Sequence, residues 1–261
     1  MDKKYSFADF VDIIAMLRGE NGCPWDREQT YKTMKNTILE ESYETIDACD
    51  AGGEKLADEL GDLLLQIVLT AQIASESGEF DINDVIDCIS KKMIHRHPHV
   101  FGNVKAETAE EVLVNWDKIK REDKKDSSVT KSLKDITKTL PSVLKAHKVQ
   151  SRAAKVGFDW DNTEDVLNKV YEEYCELKAA YENRDSDNTH EELGDLMFSV
   201  INLSRFLKIN PELALNDSTE KFISRFEKIE KAANSEGKKV EDMTFEEMDA
   251  LWEKVKKIEK Q

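Results

Sequence analysis

The sequence predicts an all-α protein made of two tandem helical bundle modules, and three observations carry that prediction. Only 10 glycines and 4 prolines punctuate 261 residues. Apolar residues recur at helical spacing along most of the chain, as at Leu56, Leu60, Leu63, Leu64, Ile67, Val68 and Ala71. Acidic strings of the first half also return in the second.

Taken in order, helices are expected over residues 7–18, 30–51, 54–77, 81–96 and 109–123, then over 141–155, 163–183, 188–208, 211–234 and 245–258. Phe7 and Phe10 sit at core spacing in the first, as Phe198 and Phe206 do later. Gly52-Gly53 stops the second helix and Gly78 the third. Thr108-x-x-Glu111 and Thr244-x-x-Glu247 read as capping boxes, and Asn210-Pro211 as an N-cap followed by proline at the first helical position. Residues 121–139 are rich in Lys, Asp, Ser and Thr and poor in large apolar side chains, the composition of a connector. The expected modules are therefore 1–120 and 140–261.

The repeat is specific. Glu40-Glu41-Ser42-Tyr43-Glu44 returns as Glu172-Glu173-Tyr174-Cys175-Glu176, Glu41 matching Glu173 at an offset of 132; Glu59-Leu60-Gly61-Asp62-Leu63 returns as Glu192-Leu193-Gly194-Asp195-Leu196 at 133. Lys92 and Arg96 match Lys221 and Arg225 at 129, and Trp116 matches Trp252 at 136. Positions i and i+3 share a helical face, so Glu41 with Glu44 and Glu59 with Asp62 each present a carboxylate pair. If the two helices face each other, four carboxylates converge. Such a cluster repels itself unless a cation neutralises it, and all-oxygen donors suit Mg²⁺ or Mn²⁺. In a chain with 54 acidic residues a single E-x-x-E is usually a solvated face; two pairs and a helix-interior glycine, repeated in register, are not. A glycine there costs about 1 kcal/mol relative to alanine, and a close approach of backbone, metal or ligand would account for it. Di-iron bundles use Glu-x-x-His pairs, which these motifs lack.

The formal charge of −16 and pI near 4.9 oppose binding to nucleic acid or anionic membrane. Cys23, Cys49, Cys88 and Cys175 show no C-x-x-C spacing and read as free thiols, and the N-terminal residues run into an amphipathic segment without an apolar signal core. The expected location is the cytoplasm.

Together with Cys23-Pro24-Trp25-Asp26, Arg96-His97-Pro98-His99-Val100-Phe101-Gly102, Val156-Gly157-Phe158-Asp159-Trp160 and Glu191-Glu192-Leu193-Gly194-Asp195-Leu196, these strings make nearly the whole chain resemble the two-module form of the MazG family of nucleoside triphosphate pyrophosphohydrolases. The resemblance implies helical bundles, a homodimer, Mg²⁺ dependence and a broad range of NTP and dNTP substrates. It implies metal ligands at Glu173, Glu176, Glu192 and Asp195, and at Glu41, Glu44, Glu59 and Asp62 in the first module. It implies nucleotide binding by Lys169, Lys221, Arg225 and Trp252, and a water-orienting role for Glu172 or Glu173. Lysine and arginine suit phosphate oxygens, and an indole suits base stacking. The first module departs from this pattern, since Thr37 stands where the second has Lys169. Asn188-Thr189-His190 also replaces a basic position, so the second site is expected to be less basic than usual. The second module is expected to carry most of the activity.

Cys23 lacks a local histidine base and reads as part of a structural or lid segment, not a nucleophile. Pro98 is expected to interrupt any helix through His95, His97 and His99, which argues against a zinc site. No G-x-x-x-x-G-K-[ST] pattern occurs, so attack is expected at the α-phosphorus. Two other readings stay open: a regulatory protein that binds a nucleotide or alarmone without turnover, and a helical scaffold with solvated acids.

Overall fold

The computed structural model describes residues 3–123 and 128–259; residues 1, 2, 124–127, 260 and 261, which the expected modules and connector include, lie outside the described residues. The chain divides into two compact units, Met1–Lys125 and Asp126–Gln261. All described regular structure is helical. No helix among the described residues is long and apolar enough to cross a membrane.

Unit 1 contains α1 (Phe7–Arg18), α2 (Pro24–Glu28), α3 (Tyr31–Ala51), α4 (Gly53–Glu76), α5 (Ile82–Arg96), α6 (Pro98–Phe101) and α7 (Ala109–Glu122). Its centre is the α3–α4 hairpin. Gly52 reverses the chain at φ 64°, a left-handed conformation that side chains disfavour, and its N–H closes α3 on Ala48 O at 2.9 Å. Ile14 of α1, Met34 of α3 and Val68, Leu69 and Ile73 of α4 pack as the buried core, with Phe10, Val11, Leu65 and Ile82 around them. Arg18 ties the α2 segment to this core: its guanidinium grips Glu76 through Nε–Oε1 at 2.7 Å and Nη2–Oε2 at 2.6 Å, and Nη1 donates to the carbonyls of Asp26 and Gln29.

Unit 2 contains α8 (Val129–Lys134), α9 (Ser142–Ala154), α10 (Thr163–Glu182), α11 (Ser186–Phe206), α12 (Pro211–Ser235) and α13 (Phe245–Ile258), with a 3₁₀ turn at Val240–Asp242 before the last. Here α10 and α11 form the central hairpin, α9 packs on α11 and α12, and α12 on α13. Gln150, buried on α9, donates Nε2 to Phe198 O at 2.7 Å and fixes the crossing of α9 over α11. Arg205 of α11 clamps Asp159 with Nη1–Oδ2 at 2.8 Å, holding the segment between α9 and α10. Ile229, Leu251 and Val255 are the buried contact of α12 with α13.

The ten expected helices form, with bounds differing by at most two residues. Four departures have local causes. Residues 121–139 are not a plain connector, because α8 lies within them and Ile136 is buried at 3% exposure. Pro98 ends α5 but starts α6, where its missing N–H costs nothing. The Thr108 box is half made: Thr108 Oγ1 accepts from Glu111 N, but the Glu111 carboxylate accepts from Glu107 N. α11 starts at Ser186, two residues early, because Asp185 caps it through Asn188 N.

Candidate functional site

Each unit carries an acidic cluster on its central hairpin. Glu41 of α3 meets Glu59 and Asp62 of α4, and Glu173 of α10 meets Glu192 and Asp195 of α11; in each triad one oxygen per carboxylate lies within 4.8 Å of the others. Glu44 and Glu176, one turn beyond Glu41 and Glu173, stand outside the triads but act on them electrostatically. Burial, then Asp62, Glu44, Glu40 and Glu59, holds the Glu41 carboxyl above its usual pKa. Partial burial, then chiefly Glu44, does the same to Glu59. For Glu192 the causes are partial burial, then Glu176, Glu173, Asp195 and Glu191. Mutually repelling, partly desolvated oxygen donors fit a hard divalent cation, so the donor chemistry accommodates one in either unit.

The two clusters differ in what neutralises them. In unit 2, Lys169 Nζ lies 2.7 Å from Glu172 Oε1 and 2.7 Å from Glu173 Oε1, a counter-charge for the buried Glu173, and these two hydrogen bonds raise the lysine pKa. In unit 1 the matching Thr37 hydroxyl donates to its own helix, to Met34 O at 3.2 Å, and Gln66 Nε2 reaches Glu41 at 3.4 Å.

A cavity of about 660 Å³ adjoins the unit 2 cluster. Lys169, Glu173 and Asp195 lie on its wall with Phe158, Trp160, Gln150 and Asn202. The acids were legible from the repeat, and Lys169 only from the family resemblance, since Thr37 stands at its place in unit 1. Gln150 and Asn202 were missed, although Asn202 at an offset of 133 matches Leu69, a core residue of unit 1; a polar residue in an apolar register was the available signal.

The expected nucleotide-binding residues do not all gather at this cluster. Lys169 does. Lys221 and Arg225 lie on α12 and Trp252 on α13, and none of the three lines the cavity. Arg225 Nε bonds Glu259 Oε2 at 2.8 Å and its guanidinium stands 5.5 Å from the Trp252 ring, which packs on Phe222 and on the α12–α13 core. Unit 1 repeats this latch: Arg96 pairs with Asp123 at 3.4 Å and stands 5.8 Å from Trp116.

The three histidines do not converge on one point: the His97 and His99 rings lie 5.5 Å apart, while His95 turns to another partner. His95 pairs with Asp123 at 3.0 Å, the His97 ring nitrogen meets Met93 O at 2.6 Å and its ring edge meets Trp116, and none of them joins either acidic triad. Cys23 occupies the position before α2 and makes no side-chain capping bond there. Gly61 and Gly194 sit one residue before Asp62 and Asp195, and a Cβ at either would meet nothing within 4 Å. Among the described residues, then, no close backbone approach explains them, because their side of the hairpin faces open space.

The MazG nucleotide pyrophosphohydrolase domain matches this chain twice, at residues 29–101 and 161–230, which spans both hairpins. The chain is 43% identical over 255 residues to the nucleoside triphosphate pyrophosphohydrolase of Escherichia coli strain K12, covering 95% of this chain and 96% of that protein. It is 41% identical over 251 residues to the nucleoside triphosphate pyrophosphohydrolase/pyrophosphatase MazG of Thermotoga maritima, covering 96% of this chain and 95% of that protein. With the nucleoside triphosphate pyrophosphohydrolase of Mycobacterium tuberculosis it shares 32% identity over 232 residues, 80% of this chain and 70% of that one.

Proposed function

Because this chain belongs to the MazG family of nucleotide pyrophosphohydrolases, we propose that it hydrolyses nucleoside triphosphates to monophosphate and pyrophosphate, with the cluster of unit 2 as the principal site. The observation that carries this reading is the triad Glu173, Glu192 and Asp195, with the counter-charge of Lys169, on the wall of a cavity of ligand size. Glu173, Glu192 and Asp195, joined by Glu176, hold the divalent cation, and Mg²⁺ or Mn²⁺ when bound offsets their charge and polarises the phosphorus. Lys169 grips a phosphate oxygen, and Glu172 or Glu173 orients the attacking water. Lys221 and Arg225 of α12 neutralise the departing pyrophosphate, the guanidinium being held in place by Glu259 and Trp252. Stabilising charge as it shifts onto the leaving group is the principal catalytic effect available to such a site.

Unit 1 keeps the triad without the lysine, which supports a weaker or purely binding role there. The chain works as a homodimer in the cytoplasm. Exposed Leu60, Leu64 and Ile67 of α4 match exposed Leu193, Met197 and Val200 of α11, an apolar stripe repeated on both hairpins that a second copy would cover. A pair of ATP analogues tests the reaction. The β,γ-methylene analogue should be cleaved, since its α–β bridge is an ordinary oxygen, and the α,β-methylene analogue should resist. Orthophosphate and ADP from ATP would refute the assignment of the bond.

A further inference from the structure

We propose that the unit 2 cavity is the nucleobase pocket and that Gln150 and Asn202 are the residues that read the base; this rests on the triphosphate reading of the adjoining acidic cluster. Three observations point the same way. The wall joins Lys169, Glu173 and Asp195 to the rings of Phe158 and Trp160, so one molecule with a phosphate end and a flat apolar end fits it, and aromatic faces stack on any base.

The second observation is the orientation of the two amides. Gln150 is 7% exposed, and its Nε2 is committed to the Phe198 carbonyl, which accepts only; Oε1 is therefore the free acceptor, and it is buried without a partner among the described residues. An unsatisfied buried carbonyl of this kind costs free energy until a ligand donates to it. Asn202 is oriented by the opposite logic. Arg205 donates Nε and Nη2 to its Oδ1 at 3.1 and 3.0 Å, and Asp159 holds that arginine, so Nδ2 is the group left to donate elsewhere. Every base carries a donor beside an acceptor, in one order in adenine and cytosine and in the reverse order in guanine and uracil, so one fixed acceptor and one fixed donor grade the bases while the aromatic rings stack on all of them.

The third observation is the contrast with unit 1. At offsets of 132 and 133 the cavity residues Val166, Phe198 and Asn202 correspond to Met34, Leu65 and Leu69, and there Met34 and Leu69 are buried in the apolar core with Leu65 packed against them. The space that is a polar-edged cavity in unit 2 is filled by hydrocarbon in unit 1. Base reading is therefore assigned to unit 2.

The test uses the full-length chain with Mg²⁺ and compares kcat/KM for the four NTPs with that for ribose 5′-triphosphate, which has no base. The wild type should prefer NTPs to the base-free compound. Gln150→Leu and Asn202→Leu, the second installing the unit 1 residue, should each shrink that preference about tenfold, the usual effect of one lost buried hydrogen bond. In parallel, nucleosides without metal should change the tryptophan fluorescence of the wild type but not of Trp160→Phe, a readout that stands even if a cavity variant fails to fold. Equal losses on NTPs and ribose triphosphate, or nucleosides without effect on Trp160, would overturn the pocket. A wild type that binds nucleosides yet hydrolyses no triphosphate would overturn the reaction and leave the pocket standing.

Discussion

Replacing Gly194 with alanine separates what the fold of unit 2 wants from what its function wants. The residue lies inside α11, and a Cβ there meets nothing within 4 Å. Alanine removes the backbone entropy that glycine must surrender in a helix, so Gly194→Ala should stabilise unit 2 by about 1 kcal/mol. For a domain of this size that corresponds to a rise in Tm of about 4 °C. Natural selection for stability alone would favour the methyl, so the open space should be occupied during turnover, by substrate or by the second copy of the chain. The added methyl should then lower kcat/KM by about tenfold or more, since small misplacements near a reacting centre are costly. Thermal unfolding monitored by circular dichroism and product formation from ATP are the two assays, with gel filtration to tell whether the dimer or the substrate is affected. A fall in Tm would show that the glycine is packed after all. A rise in Tm with unchanged turnover would show that nothing approaches it, and the argument from the glycine would fail.

Three further outcomes are expected. Glu176→Ala should abolish most turnover and Glu44→Ala should not, because only unit 2 adds Lys169 to its acids; the reverse ranking, measured as pyrophosphate release, would move the principal site to unit 1. Glu41, Glu59 and Glu192 have pKa values raised by burial and neighbouring charge, so above those values the folded, metal-free chain bears a repulsion that protonation relieves as pH falls. Mg²⁺ should consequently raise Tm more at pH 7 than at pH 5, and turnover should vanish in excess EDTA; equal stabilisation at both pH values would count against metal binding by these acids. Glu76 has the opposite sign: hydrogen bonds from Arg18 lower its pKa, so the pair stabilises unit 1 above the unfolded-state value of roughly 4.3 and loses that contribution as pH falls through the lower folded value. The difference in urea midpoint between wild type and Arg18→Met should shrink between pH 6 and pH 3, leaving only the part due to the carbonyls of Asp26 and Gln29.

What the sequence reveals depends on length and repetition. The long helices are legible because a 3.6-residue period needs several turns to register, and α3, α4, α10 and α11 each run for 20 residues or more. The five residues of α2, four of α6 and six of α8 are too short to show it, and two of them start on the prolines that ordinarily signal a break. The triads are legible because duplication prints them twice in register. The cavity is not, since its amides come from α9 and α11 and their meeting depends on a helix crossing that no local pattern encodes. Trp252 shows the limit of reasoning from residue type: an indole beside an arginine suits a nucleotide, but it equally suits the α12–α13 contact where it is found.

The doubled latch also orders events in the history of the chain. Arg96, Trp116 and Asp123 in one unit, and Arg225, Trp252 and Glu259 in the other, make the same contacts, so their common ancestor already possessed them before the gene doubled. The acidic triads are equally old by the same reasoning. Lys169 and Asn202 stand on one side only, with Thr37 and Leu69 at the matching positions of the other, and so record what happened after doubling, when one copy could lose or acquire parts while the other kept the trade going. The latch is thus a clock mark: whatever both copies share is inheritance, and whatever they do not share is specialisation.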